Sequence, residues 1–307
     1  MEETEKGTQD SLSYGSQLSG LMLFFGIGWV LALFMTLGIM HLLGITEGIE
    51  SMRALSPGKM LLLKGAQVLT SLLTFLFPVV GFVLSMDKKF TQYLTLNRSV
   101  WFPQVAILPF MLLTVSPIII ILVIFNTQLM EMLPNSLQWM VEQARTAEKE
   151  SSALIQIYLG GSHWTTLVTN LVMIALVPAF VEELFFRGTL QPLLTKWWKR
   201  PHLAIIVTAV LFSYIHFQFF GFLGRWAMGI WLGYLFFWSK NIWYPIIAHI
   251  LNNGLLVLAI YWGKMDIPDA TAMQNDITPA QAGMSFILLT ALSFVFVRLQ
   301  KKREESF

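Results

Sequence analysis

The sequence predicts an all-α polytopic membrane protein of about eight spans, and three observations carry that expectation. Apolar residues fill 55% of the 307 positions and charged residues only 12%, a balance foreign to a water-soluble domain. The apolar residues fall in runs of about 20, the length of helix that crosses a hydrocarbon core. Within the runs they are consecutive rather than alternating, which excludes a membrane β-barrel and leaves the helix, the other structure that satisfies its own backbone in lipid.

Taken in order, the segments lie at roughly 20–43, 60–85, 102–125, 164–190, 203–220, 222–239, 242–262 and 282–297. Residues 1–19 are polar and acidic and lack the basic flank and short apolar core of a cleaved signal peptide, so the first span is expected to be retained. The interval 126–163 reads as the longest loop, a connection rather than a lid, with a short surface helix over its polar stretch Glu142 to Ser152. A second loop, around Asp266, Asp269 and Asp276, reads as solvated surface. Trp101, Trp164, Trp197, Trp198, Trp243 and Trp262 cluster near span ends, where an amphipathic ring anchors at the interface.

Basic residues favour the cytoplasmic side of a span, and with the N-terminus inside they divide twelve to seven. The seven outside or near that face are Arg53, Lys59, Lys64, Arg145, Lys149, Arg225 and Lys264. Both termini are therefore expected in the cytoplasm, and a bacterial inner membrane is the expected setting. The absence of cysteine excludes disulfides, thiolate metal sites and a cysteine nucleophile. A net charge of +2, spread over loops, provides no nucleic-acid face.

Against this background Glu182, Glu183 and Arg187 stand out, because a charge at bilayer depth costs roughly 2.5–3.5 kcal/mol on insertion scales. Glu183 and Arg187 are four apart, on one helical face and in the favourable order for an ion pair. Glu182 is turned by about 100° and left without an internal partner. The spacing suggests a structural pair and a free carboxylate. Pro178, four residues before Glu182, removes a backbone donor and predicts a local kink. In the fifth segment the same spacing sets the Phe212 ring beside His216, as a wall; in the seventh it aligns His249 with Asn253.

Each element has a bland reading: a membrane histidine or asparagine as interhelical glue, a Glu–Arg pair as a register device. Two carboxylates, a guanidinium, two imidazoles and an amide on three spans exceed structural needs. Together they fit amide hydrolysis. Glu182 is a candidate base for an attacking water, with His216 sharing the proton. His249 and Asn253 provide donors from one helical face for the oxyanion of a tetrahedral intermediate.

These residues resemble the CPBP family, the CAAX proteases and bacteriocin-processing enzymes also called Abi proteins. Its first motif, EExxxR, is matched by Glu182, Glu183 and Arg187 within VEELFFRG; FxxxH by Phe212 and His216 within FSYIHF; HxxxN by His249 and Asn253 within AHILNN. They occur in order, with about 29 and 33 residues between key positions, and the resemblance covers about 165–260. It implies an all-α bundle of about eight spans and intramembrane proteolysis. In that scheme Glu182 and His216 activate water, His249 and Asn253 hold the oxyanion, and Glu183, Arg187 and Phe212 support them.

The chain then divides into a tail (1–19), N-terminal spans (20–160), a catalytic core (161–262) and a last loop, span and basic tail (263–307). The substrate is expected to be a membrane-associated peptide or protein. No cofactor is expected, since the HExxH spacing is missing. Zinc held by Glu182, His216 and His249 is the alternative. The rival functions are a proton-coupled transporter, disfavoured by the lack of paired interrupted helices, and a non-catalytic peptide-binding immunity protein.

Overall fold

Apolar runs with no water to bond become helices, and in the computed structural model they do so throughout residues 12–45, 48–161, 163–263 and 277–305, the part of the chain it describes. Among the described residues no strand occurs. The helices are α1 (Tyr14–Leu43), α2 (Ile49–Arg53), α3 (Pro57–Ser85), α4 (Phe90–Tyr93), α5 (Phe102–Glu131), α6 (Gln138–Leu159), α7 (Trp164–Trp198), α8 (Pro201–Tyr214), α9 (Phe222–Ser239), α10 (Trp243–Tyr261) and α11 (Pro279–Glu305). Six of them, α1, α3, α5, α7, α10 and α11, are long and apolar enough to cross a membrane. The protein is an integral membrane protein.

Three differences from the sequence-based boundaries have physical causes. Helix α1 starts at Tyr14 rather than 20, because Ser13 caps it by accepting a hydrogen bond from the Ser16 N–H at 3.2 Å. The interval 126–163 is mostly helix: α5 continues to Glu131, and α6 runs for 22 residues, burying Val141, Ala144 and Leu159. These three buried side chains share one helical face. The fifth segment stops at Tyr214 instead of 220, leaving a 14-residue helix that rises about 21 Å, short of the roughly 30 Å hydrocarbon thickness. The chain turns back through 215–221, with Phe217 at a left-handed φ of 54°, and α9 returns. The loop around Asp266, Asp269 and Asp276 lies outside the described residues.

Proline shapes both interrupted spans in the same way. A proline has no N–H for the carbonyl four residues back, and its ring crowds that carbonyl. In α3 a π-helical turn at Leu72–Leu76 precedes Pro78, and in α7 another at Leu171–Leu176 precedes Pro178. The wider turn makes room. A further π turn, Phe186–Leu190, encloses Arg187.

Two buried clusters hold the bundle. One joins α1, α3, α7, α8 and α10 through Leu21, Val79, Phe82, Leu184, Phe186 and Phe212. The other joins α5, α9, α10 and α11 through Met111, Trp231, Leu235, Tyr244 and Phe296. Polar contacts fix the start of α10 against the segment before α5: Asn241 Nδ2 donates to Ser99 O at 2.7 Å, the Ile242 N–H to Thr95 Oγ1 at 3.1 Å, and Trp243 Nε1 to Leu96 O at 3.1 Å. The lipid-facing surface is apolar, as Phe34, Leu42, Phe102 and Trp164 illustrate.

Helix α9 lies unusually close to α8 because Gly229 and Gly233 carry no side chain there. A Cβ at Gly229 would sit 2.9 Å from Ala209 Cβ and 3.1 Å from Ala209 Cα; one at Gly233 would sit 2.8 Å from Ile205 Cγ2. A helical Gly→Ala exchange ordinarily stabilises by about 1 kcal/mol, but overpacking costs about 1–3 kcal/mol. Gly229→Ala is therefore expected to lower the thermal midpoint of the detergent-solubilised protein. Gly26→Ala on α1, where nothing lies within 4 Å, is expected to leave it unchanged or raise it.

Candidate active site

Three helices are linked through one carboxylate. Glu183, on α7 and fully buried, accepts from Arg187 Nη1 at 2.7 Å one turn later and from His249 Nδ1 of α10 at 2.9 Å, both at Oε1. Arg187, itself 0% exposed, reaches across with Nη2 to the carbonyl of Gly229 on α9, 2.8 Å away. One turn farther along α7, Gln191 Nε2 repeats the gesture toward Gly233 O at 3.1 Å. The glycines that admit α9 thus also offer their carbonyls as acceptors.

Phe212 of α8 fills the centre. Arg187 Cζ lies 4.8 Å from the centroid of its ring, within cation–π range. The rings of His216 and His249 lie 5.0 and 5.9 Å from it, edge-on. The wall expected from sequence is there, and it touches both imidazoles.

His216 sits in the turn beyond α8, held by its Nδ1, which is 2.7 Å from Phe212 O. A carbonyl only accepts, so Nδ1 carries the proton and Nε2 keeps its lone pair. The carboxylate of Glu183 imposes the same order on His249, leaving Nε2 as its other contact point. Glu182 differs from both. It forms no hydrogen bond with a described side chain, is 8% exposed where Glu183 is 0%, and has His249, Glu183 and Arg187 as electrostatic neighbours. The free carboxylate and the structural pair expected from the 182, 183, 187 spacing are thus distinguished by their partners.

Asn253 has a second task. Its Nδ2 donates to Ile174 O at 3.2 Å, the carbonyl four residues before Pro178 and so deprived of an ordinary helical donor. One amide hydrogen remains, while Asn253 Oδ1 accepts from Asn252 Nδ2 at 3.0 Å.

Residues 164–255 match the family described as "Type II CAAX prenyl endopeptidase Rce1-like". That matched stretch, 92 of the 307 residues, is similar to the CAAX prenyl endopeptidase family. A stretch of 100 residues is 25% identical to "Uncharacterized protein YpbD" of Bacillus subtilis (strain 168), covering 30% of this chain and 47% of that protein, so the match spans about half of the relative's length. No solved structure matches.

The matched stretch, residues 164–255, contains all seven residues singled out from sequence: Glu182, Glu183, Arg187, Phe212, His216, His249 and Asn253. Sequence reasoning missed the residues that hold the His216 turn. Asn126 of α5 donates to Phe219 O at 2.7 Å and Phe220 O at 2.8 Å, and Ser213 Oγ to Phe222 O at 2.7 Å. Arg225 of α9 donates to Gln218 Oε1 at 2.9 Å and also to Gln218 O. Helix α6 docks on the same turn, with Arg145 Cζ 5.0 Å from the Phe220 ring centroid and Ser151 bonded to Gln218. Asn126, the first polar residue after the apolar segment 102–125, was the available signal.

Among the described residues no group of three or more His, Asp or Glu is placed to hold a metal ion. Glu182, His216 and His249 do not form such a set.

Removing one partner of a buried ion pair strands the other, at about 3–5 kcal/mol. Arg187→Ala, which also frees Gly229 O, is expected to depress the unfolding midpoint sharply. Arg187→Lys should recover only part of the loss, because a single ammonium replaces a guanidinium bonded in two directions. Thermal denaturation of the purified variants reads both.

Proposed function

We propose that the chain is an intramembrane endopeptidase that cuts a membrane-associated peptide or protein with a water activated by Glu182. The observation that carries the reading is the division of labour between adjacent carboxylates: Glu183 is spent on Arg187 and His249, and Glu182 beside it is not spent at all. A purely structural cluster has no use for the second carboxylate, whose burial is costly.

In the proposed reaction the water oxygen attacks the scissile carbonyl carbon and gives a proton to Glu182, while His216 Nε2, a lone-pair nitrogen, orients the water's other hydrogen. The carbonyl π electrons move onto oxygen. When the His249 ring carries both protons, with Nδ1–H on Glu183, its Nε2–H and the remaining amide hydrogen of Asn253 receive that oxyanion. The C–N bond then breaks as Glu182 returns its proton to the leaving amine, giving a carboxylic acid and an amine, between which the remaining proton passes to leave carboxylate and ammonium.

Charge counting supports this assignment. The Arg187 guanidinium lies on the Glu183 carboxylate, so the buried cation has a counter-charge beside the second carboxylate. The proposed setting is a bacterial inner membrane with both termini cytoplasmic, supported by the twelve-to-seven division of basic residues.

Glu182→Gln is expected to remove cleavage, by at least about a hundredfold as general-base losses go, with the unfolding midpoint unchanged. Comparing membrane-proteome termini from cells carrying wild-type or Glu182→Gln protein tests this and identifies substrates; identical termini would defeat the proposal. Exhaustive chelation of the purified enzyme is expected to leave its activity intact. Stoichiometric zinc by elemental analysis, with activity lost on its removal, would assign the water to a metal instead.

A further inference from the structure

Lys64 is a buried cation that the proposed chemistry leaves unused. It lies on α3, 6% exposed, and its hydrogen-bond partner is neutral: Nζ donates to Asn170 Oδ1 of α7 at 2.7 Å. Among the described residues no carboxylate pairs with it. An ammonium has three donors, and the side chain lines a cavity of about 540 Å³ between α3, α6 and α7. Burying a charge without a counter-charge costs several kcal/mol, which an amide dipole offsets only in part. An anion in the cavity would complete the site. Thr165, Thr166 and Thr169 of α7 put hydroxyl-bearing residues on the same lining.

The cavity and the candidate active site share helix α7. Asn170 precedes by one turn Ile174, whose carbonyl Asn253 holds, and Glu182 follows twelve residues after Asn170 on the same helix. Twelve residues of helix rise about 18 Å, which an extended peptide covers in about five residues. The opening also matters. Pro57 and Thr165, both exposed, line it where α3 and α7 begin, at the helix ends where a water-borne peptide arrives.

We propose that this cavity binds a carboxylate of the peptide substrate, with Lys64 as its charge partner, about five residues from the bond that is cut. The inference rests on the peptidase reading above for its substrate. The ligand chemistry is a carboxylate, from either the chain terminus or an acidic side chain.

The test separates this proposal from the peptidase reading by including a binding arm that needs no cleavage. Full-length protein carrying Glu182→Gln is titrated with three N-acetylated hexa-alanine probes: the free acid, its C-terminal amide, and the amide with glutamate at the last position. Tryptophan fluorescence reports binding. The free acid is expected to bind about tenfold or more tightly than the plain amide, as a charge-assisted hydrogen bond provides. Lys64→Met is expected to erase that preference and Lys64→Arg to keep it. Lys64→Met removes a buried charge and keeps the side chain's bulk, so its unfolding midpoint should match or exceed the wild type. Tight binding of the glutamate probe would show that a side-chain carboxylate suffices; weak binding would restrict the site to chain termini.

In the wild-type background, Lys64→Met is expected to raise KM for cleaved free-acid peptides about tenfold, with kcat within twofold. Equal binding of acid and amide, or a preference that survives in Lys64→Met, would overturn the proposal even if cleavage is robust. Acid binding that depends on Lys64, in a protein that cuts nothing, would uphold the cavity and defeat the peptidase reading. Loss of the acid preference in phosphatidylglycerol nanodiscs but not in phosphatidylcholine ones would reassign the cavity to a lipid headgroup and overturn the proposal.

Discussion

The structure depends on one carboxylate oxygen. Glu183 Oε1 receives a guanidinium from its own helix and an imidazole from α10, and the guanidinium passes the connection on to α9. Three helices are thereby fixed in rotation and depth about a point that lipid cannot hydrate. A buried pair of this kind contributes little net stability over an apolar replacement, but breaking it is costly. Its value here is alignment: it points His249 Nε2 in one direction and holds the Arg187 guanidinium against Phe212, which in turn touches both histidines.

Around that point the backbone is arranged to allow close approach. Gly229 and Gly233 let α9 come near enough for their carbonyls to take hydrogen bonds from Arg187 and Gln191. The π turns of α7 bracket the acidic pair, one before Pro178 and one around Arg187. Such turns recur at functional sites because they shift side chains off the ordinary helical spiral. The short α8 has a matching effect, leaving the His216 turn supported by Asn126, Arg225 and α6 rather than by a further helical turn.

Much of this was legible in the sequence, for identifiable reasons. Continuous apolar runs specify helices in lipid, so the order of the spans followed. Spacing of four specifies a shared face, so the Glu183–Arg187 pair and the Phe212–His216 contact followed too. What could not be read was everything that depends on contacts between distant segments. The His249–Glu183 bond joins positions 66 apart in the chain, and the Arg187–Gly229 bond joins positions 42 apart. Helix α6 was read as a loop because it is polar over Glu142 to Ser152; its buried side chains are Val141, Ala144 and Leu159, too sparse to stand out. Lys64 was read as a residue near the outer face because charge alone says nothing about depth.

The bond from Asn253 to Ile174 links substrate chemistry to helix architecture. An imino acid at 178 leaves a carbonyl that the helix itself cannot serve, and the amide from α10 serves it. One hydrogen of the side chain therefore serves the helix, and in the proposed reaction the other is left for the oxyanion. A homologue with an ordinary residue at 178 would return that carbonyl to its own helix, and the asparagine would be free to rotate. Pro178 and the aim of the asparagine are, for that reason, coupled.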